Sequence, residues 1–180
     1  MATIIHLKRY KEDVAAHRAF ARWEKRFHER FSAQTRLSEL SDKTLSVLIK
    51  PGQESQNLIY DLIMGAFDFG HRAKFYYMDS QSKMKVLDAS LFLLDQVRFE
   101  CMRRLGWVAH FPGEVYSILQ LVLGCSDIKA SFAPRFPDVT EDNPNYTEYL
   151  NTYPNDRETF VRRQISRAVE VFVKRMGRDG

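Results

Sequence analysis

The sequence is short of cysteine, of clustered glycine and of long apolar runs, and each shortage removes a class of protein. Two cysteines, Cys101 and Cys125, are too few for a disulfide framework. No CxxC pair or Cys/His cluster supplies zinc-ligand spacing. Isolated thiols fit a reducing compartment, so a cytoplasmic location is expected. The densest apolar run, Leu91-Phe92-Leu93-Leu94, is far shorter than the roughly 20 residues that span a bilayer, and no membrane insertion is expected. At the N-terminus Ile4-Ile5 precedes Lys8, Arg9 and Lys11, which reverses the order of a secretory signal.

The eight glycines stand singly, so no glycine-rich loop is available to cradle a phosphate. HExxH, GxSxG and EF-hand patterns are absent. Asp68-Phe69-Gly70 spells a kinase tripeptide but lacks the catalytic-loop and glycine-loop motifs that give it meaning. Five histidines and two cysteines are too scattered to pair a nucleophile with a base. The chain therefore reads as non-enzymatic, with no cofactor expected.

What is present is a globular composition. Hydrophobic residues make up 44% and aromatic residues 13%, which argues against disorder. A length of 180 residues suits one domain over 1–180. The net charge of +4 permits an anionic partner without selecting one.

Apolar periodicity predicts an all-α fold, a bundle of five to seven helices around a long central one. The first helix is expected over 8–31, with Ala16, Phe20, Trp23, Phe27 and Phe31 as its core stripe. A short helix capped by Ser41 or Asp42 is expected through Ile49, with Val47-Leu48-Ile49 readable instead as a short strand. A helix over 54–69 follows, then a connector carrying Phe75, Tyr76 and Tyr77. The longest helix runs from Asp79 or Ser80 to Leu105, with Leu87, Leu91, Leu94, Met102 and Leu105 on one side and Val86, Leu93 and Val97 widening it. A strongly apolar helix is expected over 113–124. Residues 126–154, rich in Pro and Asn, form an irregular excursion. The last helix is expected from Asn155, as N-cap with Glu158 completing a capping box, to about Met176.

The most suggestive chemistry is basic. Arg18, Arg22, Arg26 and Arg30 recur every four residues and make one slanting ridge, with Lys25 beside it. Like charges at that spacing repel, and an anionic partner would relieve them. Arginine suits carboxylate and phosphate because its planar fork donates in pairs. A solvated outer face is the competing reading, and so is an internal pairing with Asp138, Glu141, Asp142 and Glu148 of the excursion. The last helix repeats the theme with Arg163, Arg167, Lys174 and Arg178. A continuous patch follows if the two helices are neighbours. Nucleic acid is possible through such a patch, although no helix-turn-helix, RRM or KH signature accompanies it.

Weaker leads are carboxylates and aromatics. Asp61 and Asp68, and again Asp88 and Asp95, are seven apart, a spacing that returns to one helical face. Inward-facing, they would hold a divalent metal; solvated aspartates are the plainer expectation. His17, Glu24 and His28 form a similar trio on the first helix. The aromatic segments Phe75-Tyr76-Tyr77 and 107–111 either line a small-ligand pocket or fill the core. The leading expectation is an interaction or regulatory module that binds a macromolecule, a protein partner or a second copy of itself. The alternative is a small-ligand- or metal-binding helical protein, conceivably an enzyme.

Overall fold

A computed structural model describes residues 2–132 and 135–179; Met1, Gly180 and, within the excursion, Ala133 and Pro134 lie outside them. The expected all-α architecture holds. The helices are α1 (Ala2–Phe27), α2 (Asp42–Ile49), α3 (Gln53–Ala66), α4 (Ser80–Arg104), α5 (Pro112–Val115), α6 (Ile118–Leu123), α7 (Cys125–Ser131), α8 (Tyr146–Leu150) and α9 (Arg157–Arg178). Nine among the described residues exceed the expected five to seven because the helix expected over 113–124 divides in two and the excursion carries two more. Of the nine, α5 and α8 have only four and five residues.

The central position of α4 is as expected: α2, α3, α6 and α9 all pack on it. Its start is fixed by Asp79, whose carboxylate accepts from Ser82 N–H at 2.8 Å. That bond holds the Asp79 carboxyl below its ordinary range. Its end is fixed by Gly106 in the left-handed region (φ 80°), with Trp107 N–H returning to the Met102 carbonyl.

The buried side of α4 agrees with the sequence reading at Val86, Leu93, Val97 and Met102 and corrects it at Leu91. Val86, Ala89, Leu93, Val97 and Cys101 are buried, whereas Leu91 is 66% exposed. A helix apolar over most of its girth offers two stripes, and its neighbours select one.

The first helix stops at Phe27, four residues before the expected end. His28 adopts φ 56°, which breaks the helix, and Glu24 Oε1 accepts from Phe31 N–H at 3.1 Å to fix the turn. Phe31 still stacks on Phe20, at 5.2 Å between ring centres. The chain thus returns it to the same core by another route.

Residues 42–49 resolve as helix, capped by Ser41 accepting from Thr44 N–H. The predicted helix over 113–124 breaks at Tyr116–Ser117, because Ser117 and Gln120 form a capping box that restarts it as α6. Before α9 a 3-10 turn spans Pro154–Asp156, so Asn155 is not its N-cap and the expected capping box does not form.

The excursion is more regular than expected. It carries α7 and α8, and Asp138–Val139 (β2) pairs antiparallel with Val108–Ala109 (β1). Two apolar clusters result. The larger fills the space between α1, α2, α3, α4 and α6. The smaller joins Phe99, Trp107, Phe111, Tyr149 and Phe160 beneath α9, and Leu105 touches both.

Candidate anion-binding surface

The arginine ridge of α1 is half used by the protein itself. Arg18 is partly buried: its Nε donates to the Gly65 carbonyl at 3.2 Å and lies 3.4 Å from Asp68. Arg26 pairs with Glu54 at 2.5 Å. Arg30 follows the helix end and leaves the ridge. Arg22 and Lys25 remain exposed and make no ion pair among the described residues. The neutralising groups come from α3 and the turn after it rather than from the acidic excursion. A helix interface explains this better than a charge pattern, because α1 packs chiefly on α3.

Of the acidic groups of the excursion, only Glu148 pairs with α9 among the described residues. Glu148 of α8 accepts from Arg163 Nη2 at 3.0 Å, and Asp138 faces His110 at 3.1 Å. Arg163 also lies over the Phe160 ring, 5.7 Å from its centre. Beyond Arg163, the outer side of α9 stays free. Arg167, Lys174, Arg175 and Arg178 are exposed and form no ion pair or side-chain hydrogen bond among the described residues. Positions 163, 167, 174 and 178 follow one side of the helix over 16 residues, a rise of about 22 Å at 1.5 Å per residue. The buried side is Phe160, Val161, Gln164, Ala168 and Phe172, so this ridge is an exposed flank of an amphipathic helix. The main neighbours of α9 are α2 and α4, whereas that of α1 is α3. The two basic helices thus pack in different parts of the fold.

The aspartates do not build a metal centre. Asp61 pairs with Arg72 at 2.7 Å, Asp68 with Arg18, and Asp95 with both terminal nitrogens of Arg162. Asp88 is exposed. Asp68 also lies past the end of α3, at φ 58°, so the seven-residue face shared with Asp61 is lost. Glu24 is committed to the turn at Phe31, while His17 and His28 are exposed. No group of three His, Cys, Asp or Glu side chains able to hold a metal occurs among the described residues.

The aromatic segments divide. Trp107 and Phe111 are buried in the smaller cluster, where Phe111 meets Phe99 edge to face. Tyr76 and Tyr77 are 78% and 91% exposed, against the expectation that this connector lies on the core. Only Phe75 turns inward, onto Tyr60. A shallow groove between α3 and α4 has Ile59, Leu91 and Leu94 in its lining, with Lys50 and Arg98 at its margin.

Sequence reading missed the buried polar groups. Glu100 is fully buried and accepts from both Arg103 and Arg104. Arg104 also reaches Asp42 and the carbonyls of Leu37 and Leu40, tying α4 to the segment before α2. The Glu100 bond raises the affinity of Arg103 for its proton. An i,i+3 and i,i+4 Glu–Arg–Arg triplet was the available signal, but surface helices carry the same pattern. A second network joins Asn143, Gln164 and the Trp107 carbonyl under α9.

No helix among the described residues is long and apolar enough to cross a membrane. No protein-family model, curated protein or solved structure matches this chain.

Proposed function

We propose that this protein is a non-enzymatic interaction module, acting in the cytoplasm, that holds an acidic macromolecule against the outer side of α9. The observation that carries the reading is the set of exposed cations on α9 that have no carboxylate partner among the described residues, Arg167, Lys174, Arg175 and Arg178. On α1, by contrast, Arg18 and Arg26 are neutralised within the fold, leaving Arg22 and Lys25 as a secondary contact. An acidic protein suits the α9 ridge better than nucleic acid does. Glu170 interrupts the ridge and repels a phosphate backbone, whereas a protein surface can set a basic group opposite it.

The test is fluorescence-anisotropy titration with labelled poly-glutamate and, separately, labelled single- and double-stranded oligonucleotides, at low and near-physiological salt. Poly-glutamate binding that weakens with salt and is lost in Lys174→Glu/Arg178→Glu supports the reading. Tighter binding of an oligonucleotide through the same residues replaces the acidic protein with nucleic acid. Binding of neither at low salt overturns it.

A second reading is favoured by α4. Met84 and Leu91 are 56% and 66% exposed, with Leu87 and Leu94 half-buried between and beyond them. The 3-4-3 spacing of these four residues matches a coiled-coil seam, which is self-complementary between two copies. This predicts a dimer by light scattering that Leu91→Glu converts to monomer; a monomer at all concentrations removes it.

A further inference from the structure

We infer that the recess between α8 and α9 is a binding site for a single phosphate group, held by Gln164 and Arg167 and restrained by Glu148. This deepens the reading of α9 as an anion-binding helix and rests on it in part.

The recess has a volume of about 140 Å³ and is lined by Asn145, Glu148, Phe160, Arg163, Gln164 and Arg167. It is several times what a water molecule needs, enough for a tetrahedral anion. Gln164 is 6% exposed, yet its Nε2 meets no acceptor among the described residues. The orientation of that amide is forced. Asn143 Nδ2 donates to the Trp107 carbonyl at 3.4 Å and to Gln164 Oε1 at 2.7 Å, while Asn143 Oδ1 accepts from Asn145 N–H at 2.9 Å. Turning Gln164 over would set its NH2 against that of Asn143, donor against donor. The free donor is therefore built in, and a buried donor without an acceptor is costly.

The charges around it favour an anion. Arg163 and Arg167 bring two positive charges, and Glu148 removes one by pairing with Arg163. The cation left over is Arg167, one helical turn of α9 beyond Arg163. An anion in the recess gains the Arg167 fork, draws the buried Gln164 N–H to itself by a small shift of that side chain, and competes with Glu148 for Arg163. The group recognised is phosphate, whether free or carried on a phosphorylated side chain.

The test is an NMR titration of the full chain, following the Gln164 side-chain NH2 signals, with orthophosphate, a phosphoserine hexapeptide and its unphosphorylated form. Saturable shifts of those signals with orthophosphate or the phosphopeptide, and none with the unphosphorylated peptide, are expected. The tighter of the two phosphate probes identifies the source. Arg167→Gln, an exposed change that leaves the fold intact, should abolish saturation. Glu148→Gln should tighten binding by about two- to fivefold, the range set by an exposed charge pair. Absence of saturable shifts at millimolar phosphate, or shifts unaltered by Arg167→Gln, overturns the inference. Loss of poly-glutamate binding in Lys174→Glu/Arg178→Glu without phosphate binding leaves the ridge reading standing and removes this site; phosphate binding without polyanion binding does the reverse.

Discussion

Gly65 on α3 meets Arg18 on α1 backbone to backbone: a Cβ at position 65 would stand 2.5 Å from the Arg18 carbonyl oxygen and 3.0 Å from Ala19 Cα. With Ala15, Ala16 and Ala19 buried on α1, this is a crossing of small residues that lets the two helices approach closely. Arg18 Nε donates back to the Gly65 carbonyl, so the contact is both steric and polar.

Gly65→Ala should therefore destabilise the protein. Alanine gains about 1 kcal/mol over glycine inside a helix. Forcing two backbones apart costs about 1–3 kcal/mol and more when nothing flexible can yield. The clash wins. Urea denaturation should show a lower midpoint, while Gly177→Ala, which meets nothing within 4 Å, should leave it unchanged or raise it. Equal effects at the two positions would refute the packing argument.

Glu100 ties Arg103 and Arg104 together inside the fold. It is fully buried, and Arg104, only 14% exposed, bonds it at 2.8 Å. Glu100→Leu leaves that guanidinium without its buried partner, at a cost of about 3 kcal/mol. Adding Arg104→Met should cost less than it does alone, a coupling of about 1 kcal/mol or more in a double-mutant cycle. Strict additivity would mean the pair does not stabilise the fold.

How far the sequence reveals this molecule differs by element. Apolar spacing located α1, α3, α4 and α9 because each has a strong stripe, and Ser41, Asp79 and Gly106 marked ends by local chemistry that no neighbour overrides. Leu91 was misplaced because α4 presents two apolar stripes, and only tertiary neighbours distinguish them. Phe31 was misplaced because a left-handed turn at His28 delivers it to the same core that a continued helix would have reached. The Ser117/Gln120 capping box is readable in the sequence but lies inside an apolar run that reads as continuous helix. Charge was least legible. Arg18 and Arg26 look identical to Arg22 in sequence, and only the position of Asp68 and Glu54 separates them. The Gln164 donor depends on Asn143 being 21 residues away, which no local pattern reports.

Both thiols should be inert in the folded protein. Burial pushes Cys101 from its ordinary 9.0 up to about 12, and raises Cys125 as well. At pH 8 iodoacetamide should label neither until denaturant unfolds the chain. The same shift sets a pH dependence. Between pH 9 and about 12 the unfolded Cys101 loses its proton and the folded one keeps it, so stability present below pH 9 is lost as pH rises through that window. Rapid native labelling of Cys101 would contradict its burial.

His28 tests the strain at the end of α1. Its φ of 56° is one that residues with a Cβ enter at a cost of about 1 kcal/mol or more. Its side chain is exposed and makes no hydrogen bond among the described residues, so glycine removes the strain and deletes no contact. His28→Gly should raise stability by about 0.5–1 kcal/mol, after allowing for the greater freedom glycine gives the unfolded chain. Asp68 has nearly the same backbone, φ 58°, but its carboxylate lies 3.4 Å from Arg18. Asp68→Gly trades that ion pair for the same relief and should gain less than His28→Gly. Measured side by side by thermal melting, a larger gain at 68 than at 28 would mean that the Arg18–Asp68 pair contributes nothing and that Arg18 is held by the Gly65 carbonyl alone.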